Sequence, residues 1–260
     1  MPIAGINGQQ IYYTDTGGDG PAVIFSHGFL LDSDMFAAQI AGLKPRYRCI
    51  GWDQRGFGRT GDATESFTYW DSARDVLALM DHLGIQQAAL AGLSQGGFLS
   101  MRAALLAPAR VQALALLSTR SGLDTQETVD GFLNLKGEWQ ANGSANVRGF
   151  LADVLLGDGV DREPWFQKWD RMSRDALAFP IDALTQRDDL TPRLHEIKCP
   201  TLVIHGDADK AIDVEHGMSL ASHFDGAAAR IIAGAGHAPP LSHPDQVLAL
   251  LSQFVQAAHG

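Results

Sequence analysis

The chain has little of what would mark several protein classes. Two cysteines in 260 residues are too few for a disulfide framework. Cys49 and Cys199 fall in apolar, strand-like stretches and read as buried free thiols, not a bridge or a metal pair. No apolar run reaches the length of a bilayer-spanning helix. No basic cluster offsets the formal net charge of −10, which argues against nucleic acid or an anionic membrane as partner. His82, His195, His205, His216, His223, His243 and His259 lack metal-ligand company, and His216 and His223 are without the H-E-x-x-H frame. No G-x-G-x-x-G follows a strand and opens a helix, and G-x-x-x-x-G-K-[ST] is absent. Neither a metal nor a cofactor is expected. Met1-Pro2-Ile3-Ala4-Gly5-Ile6 has no basic start and no long apolar core, so no leader is read and the cytoplasm is the default location. No repeat or low-complexity tract interrupts the chain.

What is present is a globular balance, 45% hydrophobic and 19% charged, in a length that suits one domain with a sizeable core. Strand-like runs at 11–15, 21–26, 47–52, 87–91, 111–117, 200–205 and 229–232 alternate with helical patterns at 34–44, 69–83, 97–107, 212–224 and 245–258. Trp70, Ala73, Val76, Leu77, Met80 and Leu83 recur near helical spacing before Gly84, and Pro108 closes the run from Gly97. Near-continuously apolar strands alternating with helices predict an α/β fold, a doubly wound, mostly parallel sheet covered on both faces. Residues 122–196 break this rhythm. They are rich in large apolar side chains and contain no strand-like run, so a helical cap is expected there, inserted into a core domain made of 1–121 and 197–260. Most of its apolar residues should bind the cap to the core. A few aromatics should line a substrate pocket, with Trp139 and Trp165 as candidates and Leu30 on the core side.

Gly92-Leu93-Ser94-Gln95-Gly96 reads G-x-S-x-G between the strand 87–91 and the helix 97–107. Strand, tight turn and helix are the setting of a nucleophile elbow. Glycines permit the sharp turn, and the free N–H groups of the helix N-terminus lie beneath the serine. A serine hydroxyl needs a base to take its proton, and that base is usually a histidine held by a carboxylate. Reactive groups in a doubly wound sheet gather at the carboxyl ends of strands. Strand 200–205 is followed by Gly206-Asp207-Ala208-Asp209, and strand 229–232 by Ala233-Gly234-Ala235-Gly236-His237. The order serine, acid, histidine is therefore met.

With those residues in view, the chain resembles the α/β-hydrolase family over almost its full length. The resemblance is carried by His27-Gly28-Phe29, Asp53-Gln54-Arg55-Gly56-Phe57-Gly58-Arg59-Thr60, Gly92–Gly97, His205–Asp209 and Gly234–Pro239, in the family's order. It implies Ser94 as nucleophile, His237 as general base and then acid, and Asp209 as the acid, with Asp207 as rival and Asp124 as a third candidate. It implies the backbone N–H groups of Phe29 and Gln95 as oxyanion donors. It makes Asp53–Thr60 a structural turn, with unusual dihedrals at Gly56 and Gly58 and with Arg55 bonded to backbone carbonyls. His27 is expected to be structural, shaping the oxyanion loop. The activity implied is hydrolysis of a small or medium hydrophobic carboxylic ester or lactone, with a small-molecule substrate as partner and self-association left open. Ser94 argues against the dehalogenases and epoxide hydrolases that carry aspartate at the elbow. Enzymes that cleave C–C bonds of β-diketone-type acids, 3-oxoadipate enol-lactonases and small-molecule receptors on the same fold remain open. The cofactor-free haloperoxidase group shares His27-Gly28-Phe29 but usually continues with proline, where this chain has Leu30.

Overall fold

A hairpin opens the chain. In the computed structural model, which describes residues 2–259 apart from the His259 side chain, β1 (Ile3–Ile6) turns through Asn7-Gly8 into β2 (Gln9–Asp15). Met1, Gly260 and the ring of His259, one of the histidines read above as no metal ligand, lie outside the described residues. β3 (Ala22–Ser26), α1 (Ala37–Leu43), β4 (Arg48–Trp52), α2 (Tyr69–His82), β5 (Ala88–Leu93), α3 (Gln95–Leu106) and β6 (Val111–Leu117) follow. Then four helices occur without a strand: α4 (Gln126–Asn142), α5 (Arg148–Leu155), α6 (Glu163–Trp169) and α7 (Ala178–Thr185). The chain returns through β7 (Thr201–Gly206), α8 (Val214–Ala221), β8 (Ala228–Ile232), α9 (Pro239–Ser242) and α10 (Pro244–His259).

The strands form one eight-stranded sheet in the order β1-β2-β4-β3-β5-β6-β7-β8, antiparallel at β1-β2 and β2-β4 and parallel from β4 onward. This is the mostly parallel α/β sheet that the alternation of elements implies. β3, β5 and β7 are buried at every residue, as a sheet packed on both faces requires. α2 packs on α3, and α1 packs on α10. α2 starts with a capping box, the Thr68 N–H and the Asp71 carboxylate answering the Asp71 N–H and the Thr68 hydroxyl. Gly84, at φ +68°, ends the run that its position in the sequence marks as a stop. Among the described residues no helix is long and apolar enough to cross a membrane.

Three details depart from the sequence reading. β1 is an additional strand. The helix expected over 212–224 is confined to Val214–Ala221. Cys199 is half-buried in the turn before β7 and not in a strand, whereas Cys49 is buried in β4. Both thiols are free, and burial pushes them up to about 12 and about 11 respectively.

Numbering along the sheet reverses direction between β3 and β5, which pair so that Ser26 lies opposite Gly92. The loop after β3 and the turn after β5 are thereby forced together at the carboxyl edge, where an open α/β sheet offers its crevice. The turn is crowded. A Cβ on Gly96 would fall on the Ser26 carbonyl, and one on Gly92 on the Gly96 carbonyl. Both obstacles are backbone, which cannot swing aside. Gly96→Ala should therefore lower stability by roughly 3 kcal/mol or prevent soluble expression, overpacking without relief being the cause. Urea denaturation checks this, and a midpoint like that of the parent would contradict the packing described.

Candidate active site

Ser94 caps the start of α3 at φ 51° and ψ −114°, a backbone that L-residues avoid and that costs of order 1–3 kcal/mol. Its N–H donates to the Leu117 carbonyl (2.9 Å), and its carbonyl accepts from Gly97 N–H (2.8 Å) and the Thr119 hydroxyl (2.8 Å). The backbone is pinned on both sides, and the side chain is left on the tip of the turn. Ser94 and His237 line the same small cavity, of about 50 Å³, with no hydrogen bond between them among the described residues. Catalytic hydrogen bonds are often long before substrate arrives.

His237 follows β8, and its Nδ1 lies 2.9 and 3.1 Å from the two carboxylate oxygens of Asp209. Asp209 also accepts from the N–H groups of Ala211 (2.8 Å) and Ile212 (3.0 Å), and His205 Nε2 stands 3.1 Å from it. Burial alone would raise its pKa. The His237 imidazole and the hydrogen bonds from His205, His237 and Ile212 reverse that and hold the carboxyl well below the usual range. Asp207, the rival acid, accepts from the Gly234 N–H (2.7 Å) instead, as a turn carboxylate does. Asp124 lines the cavity but is taken up by Arg120 and Arg187.

Two backbone donors near Ser94 are unpaired. Phe29, in the loop after β3, and Gln95, at the first position of α3, have N–H groups that make no hydrogen bond among the described residues. His27 supports that loop from below. Its Nδ1 meets the Gly28 carbonyl (2.8 Å), its Nε2 accepts from the Gln54 N–H (2.9 Å), and burial holds its pKa below the ordinary imidazole value. With both nitrogens engaged it has no lone pair left for a second base. Asp53 completes the support, accepting from Ser33 N–H and hydroxyl and from Arg59. Gly56 and Gly58 adopt φ +83° and +55°, as the turn reading requires. Arg55 does not bond backbone carbonyls. It makes a bidentate, buried ion pair with Asp75 of α2 (2.6 and 2.8 Å), because a guanidinium removed from water needs a countercharge.

The residues expected to line the pocket lie elsewhere. Trp139 is fully buried within the four-helix segment, donating to the Ser173 carbonyl (3.0 Å). Trp165 is buried with Lys168 Nζ 4.5 Å from its ring centre. Leu30 gives its carbonyl to Trp169 Nε1 (2.6 Å) and borders a separate, half-open depression of about 570 Å³ that contains neither Ser94 nor His237. An indole buried with its N–H must find an acceptor, and carbonyls inside the segment and on the Leu30 loop supply it. The Ser94 cavity is walled by smaller groups, with Phe29 and Phe98 from the sheet side and Phe132, Leu155 and Leu184 from the inserted helices. Phe132 meets Phe29 edge to face at 5.9 Å. Arg120 is the lining residue that the motifs do not signal. It stands three residues beyond β6, in a stretch with no family pattern of its own.

The family model for the alpha/beta hydrolase fold matches residues 21–244. The chain belongs to the α/β-hydrolase family. A Synechocystis sp. protein provisionally named a non-heme chloroperoxidase is 33% identical to this α/β-hydrolase over 95% of each chain. The 3-oxoadipate enol-lactonase 1 of Acinetobacter baylyi is 26% identical over 92% of this chain and 90% of its own. Among solved structures, a thermophilic esterase from Thermogutta terrifontis with malate bound superposes with a TM-score of 0.89 at 27% identity, covering 96% of this chain and 94% of that one. An enol-lactonase from Burkholderia xenovorans LB400 also reaches 0.89, at 26% identity, covering 98% and 100%.

The lowered pKa of Asp209 has a sign in stability. A carboxyl whose folded pKa is depressed adds stability above its unfolded value, about 3.9, and loses it as pH falls through the folded value. The melting-temperature gap between parent and Asp209→Asn should therefore be steady above about pH 5 and narrow below about pH 4. A gap independent of pH down to acid conditions would contradict the ionised, hydrogen-bonded carboxylate.

Proposed function

We propose that this α/β-hydrolase is a serine hydrolase of small carboxylic esters or lactones. One observation carries the reading most: an imidazole held by a buried, ionised carboxylate opens onto the same cavity as a serine in a strained elbow. Ser94 attacks the substrate carbonyl while His237 Nε2 takes its proton. The N–H groups of Phe29 and Gln95 receive the oxyanion, the latter at the positive end of α3. His237 returns the proton to the leaving alkoxide. Water activated by the same imidazole then releases the acid. Asp209 keeps Nδ1 protonated, so that Nε2 is the basic nitrogen. The inserted helices act as the cap, residues 122–196, that closes the cavity against water. The relatives that are esterases and enol-lactonases support this class of reaction, and the tight cavity favours short acyl groups.

Perhydrolysis is the second reading, favoured by the chloroperoxidase-named relative. Leu30 speaks against it as the main activity. It sits at φ +59°, a conformation closed to proline, whose φ is fixed near −65°. The loop is therefore not shaped like one in which proline follows Phe29.

Short 4-nitrophenyl esters test the proposal. Ser94→Ala should lower kcat by about 10⁶ and Asp209→Asn by about 10⁴, the losses that comparable triads show. A Ser94→Ala enzyme within tenfold of the parent ends the reading. Peroxide-dependent bromination faster than ester hydrolysis would favour the second.

A further inference from the structure

The cavity that Ser94 and His237 line is also lined by a guanidinium, that of Arg120. Arg120 follows Thr119, whose hydroxyl bonds the Ser94 carbonyl, so it stands close behind the elbow. It is 8% exposed. Its Nη2 pairs with Asp124, its Nη1 lies 3.4 Å from His216 Nε2 on α8, and its Nε has no partner among the described residues. Asp124 is shared: its second oxygen is taken by Arg187. Arg187 also donates to the carbonyls of Leu184 and Gly122 and lies 4.7 Å from the Phe98 ring, and its Nε, like that of Arg120, has no partner among the described residues. In direct contact, then, two guanidiniums divide one carboxylate. More distant acids, Asp213 for Arg120 and Asp188 and Asp189 for Arg187, act only through space or on the far side. Burial and the Arg187 charge draw Arg120 down to about 10, which still leaves it cationic near neutrality.

Two buried cations sharing one carboxylate, one of them lining a mostly apolar cavity, are costly unless a further anion completes the balance. We propose that Arg120 binds a carboxylate carried by the substrate, so that the preferred esters or lactones are short and bear an acid group. The carboxylate would take an Nη–H of Arg120 as a charge-assisted hydrogen bond, with the reacting carbonyl on Ser94. The cavity of about 50 Å³ leaves room for only a short spacer between the two groups. The turnover part of this proposal rests on the serine-hydrolase reading. The binding part does not.

The test compares monoethyl succinate with ethyl butyrate, near-isosteric esters with and without the charge, by acid release in a pH-stat. The parent should favour monoethyl succinate in kcat/KM by about tenfold or more, the worth of one charge-assisted hydrogen-bonded contact, and Arg120→Met should reduce that ratio at least as much. In parallel, succinate should raise the melting temperature of the parent more than succinamide does, and this difference should vanish in Arg120→Met. A parent that hydrolyses both esters equally and shows no succinate-specific stabilisation overturns the carboxylate site and leaves the hydrolase reading intact. A parent that hydrolyses neither ester but is stabilised by succinate through Arg120 overturns the hydrolase reading and keeps the site. If Arg120→Met does not fold, the two measurements on the parent decide alone.

Discussion

The turn between β5 and α3 is so tightly enclosed that its backbone has one place to go. Ser26, Thr119, Leu117 and the first residues of α3 press on it from every side, and Gly92, Gly96 and Gly97 are the positions where a side chain would collide. The strain at Ser94 persists because the surroundings over-determine it. Its consequence is positional. Ser94 lines the cavity, and the Gln95 N–H next to it at the helix start has no hydrogen-bond partner among the described residues. Every other group discussed is arranged around that fixed point: the Phe29 loop by the β3–β5 register, Thr119 by its bond to the Ser94 carbonyl, and His237 through the cavity they share.

Buried charge is the second organising element, and it works through loops more than through the sheet. Asp53 ties the start of the 33–36 turn to Arg59, and Asp209, in the loop after β7, gathers two N–H groups of that loop and two imidazoles, His205 of β7 and His237 beyond β8. In both cases several donors converge on a carboxylate that burial alone would neutralise, and they keep it ionised. Ionised Asp209 orients His237. Asp53 fixes the 33–36 turn that follows the loop carrying Phe29. Lys168, on α6, extends the same logic outward by bridging Asp32 and Asp34, so the inserted helices are fastened electrostatically to the loop that carries Phe29.

How far the sequence reveals these arrangements depends on whether the cause is local. The elbow is local: small residues around a serine, between an apolar strand and a helix former, leave few other structures open. The placement of Asp209 and His237 is nearly so, since each follows directly on a strand whose apolar run can be read. The hairpin of β1 and β2 had a readable sign in Asn7-Gly8, both at positive φ as a two-residue hairpin turn demands, but four residues with one exposed isoleucine carry too weak a strand pattern. The partner of Arg55 is not local at all. Asp75 is twenty residues away on α2 and becomes its counterion only once the helix has docked.

The tryptophans of the inserted helices make the same point about function. Size and aromaticity suggest a pocket wall, yet each large ring also brings an N–H that burial obliges to be bonded. Trp139 meets that obligation inside the segment and Trp169 meets it on the Leu30 carbonyl. Both are thereby committed to holding the helices together and onto the core. The wall of the Ser94 cavity falls to phenylalanine and leucine, which can be turned toward an empty space without leaving a polar atom unpaired. Polar character in that wall comes chiefly from Arg120 and Asp124 in the segment after β6, with Thr128 of α4 beside them. The charge in the cavity wall thus sits mostly next to the carboxyl edge of the sheet, and the inserted helices supply most of the remaining apolar wall.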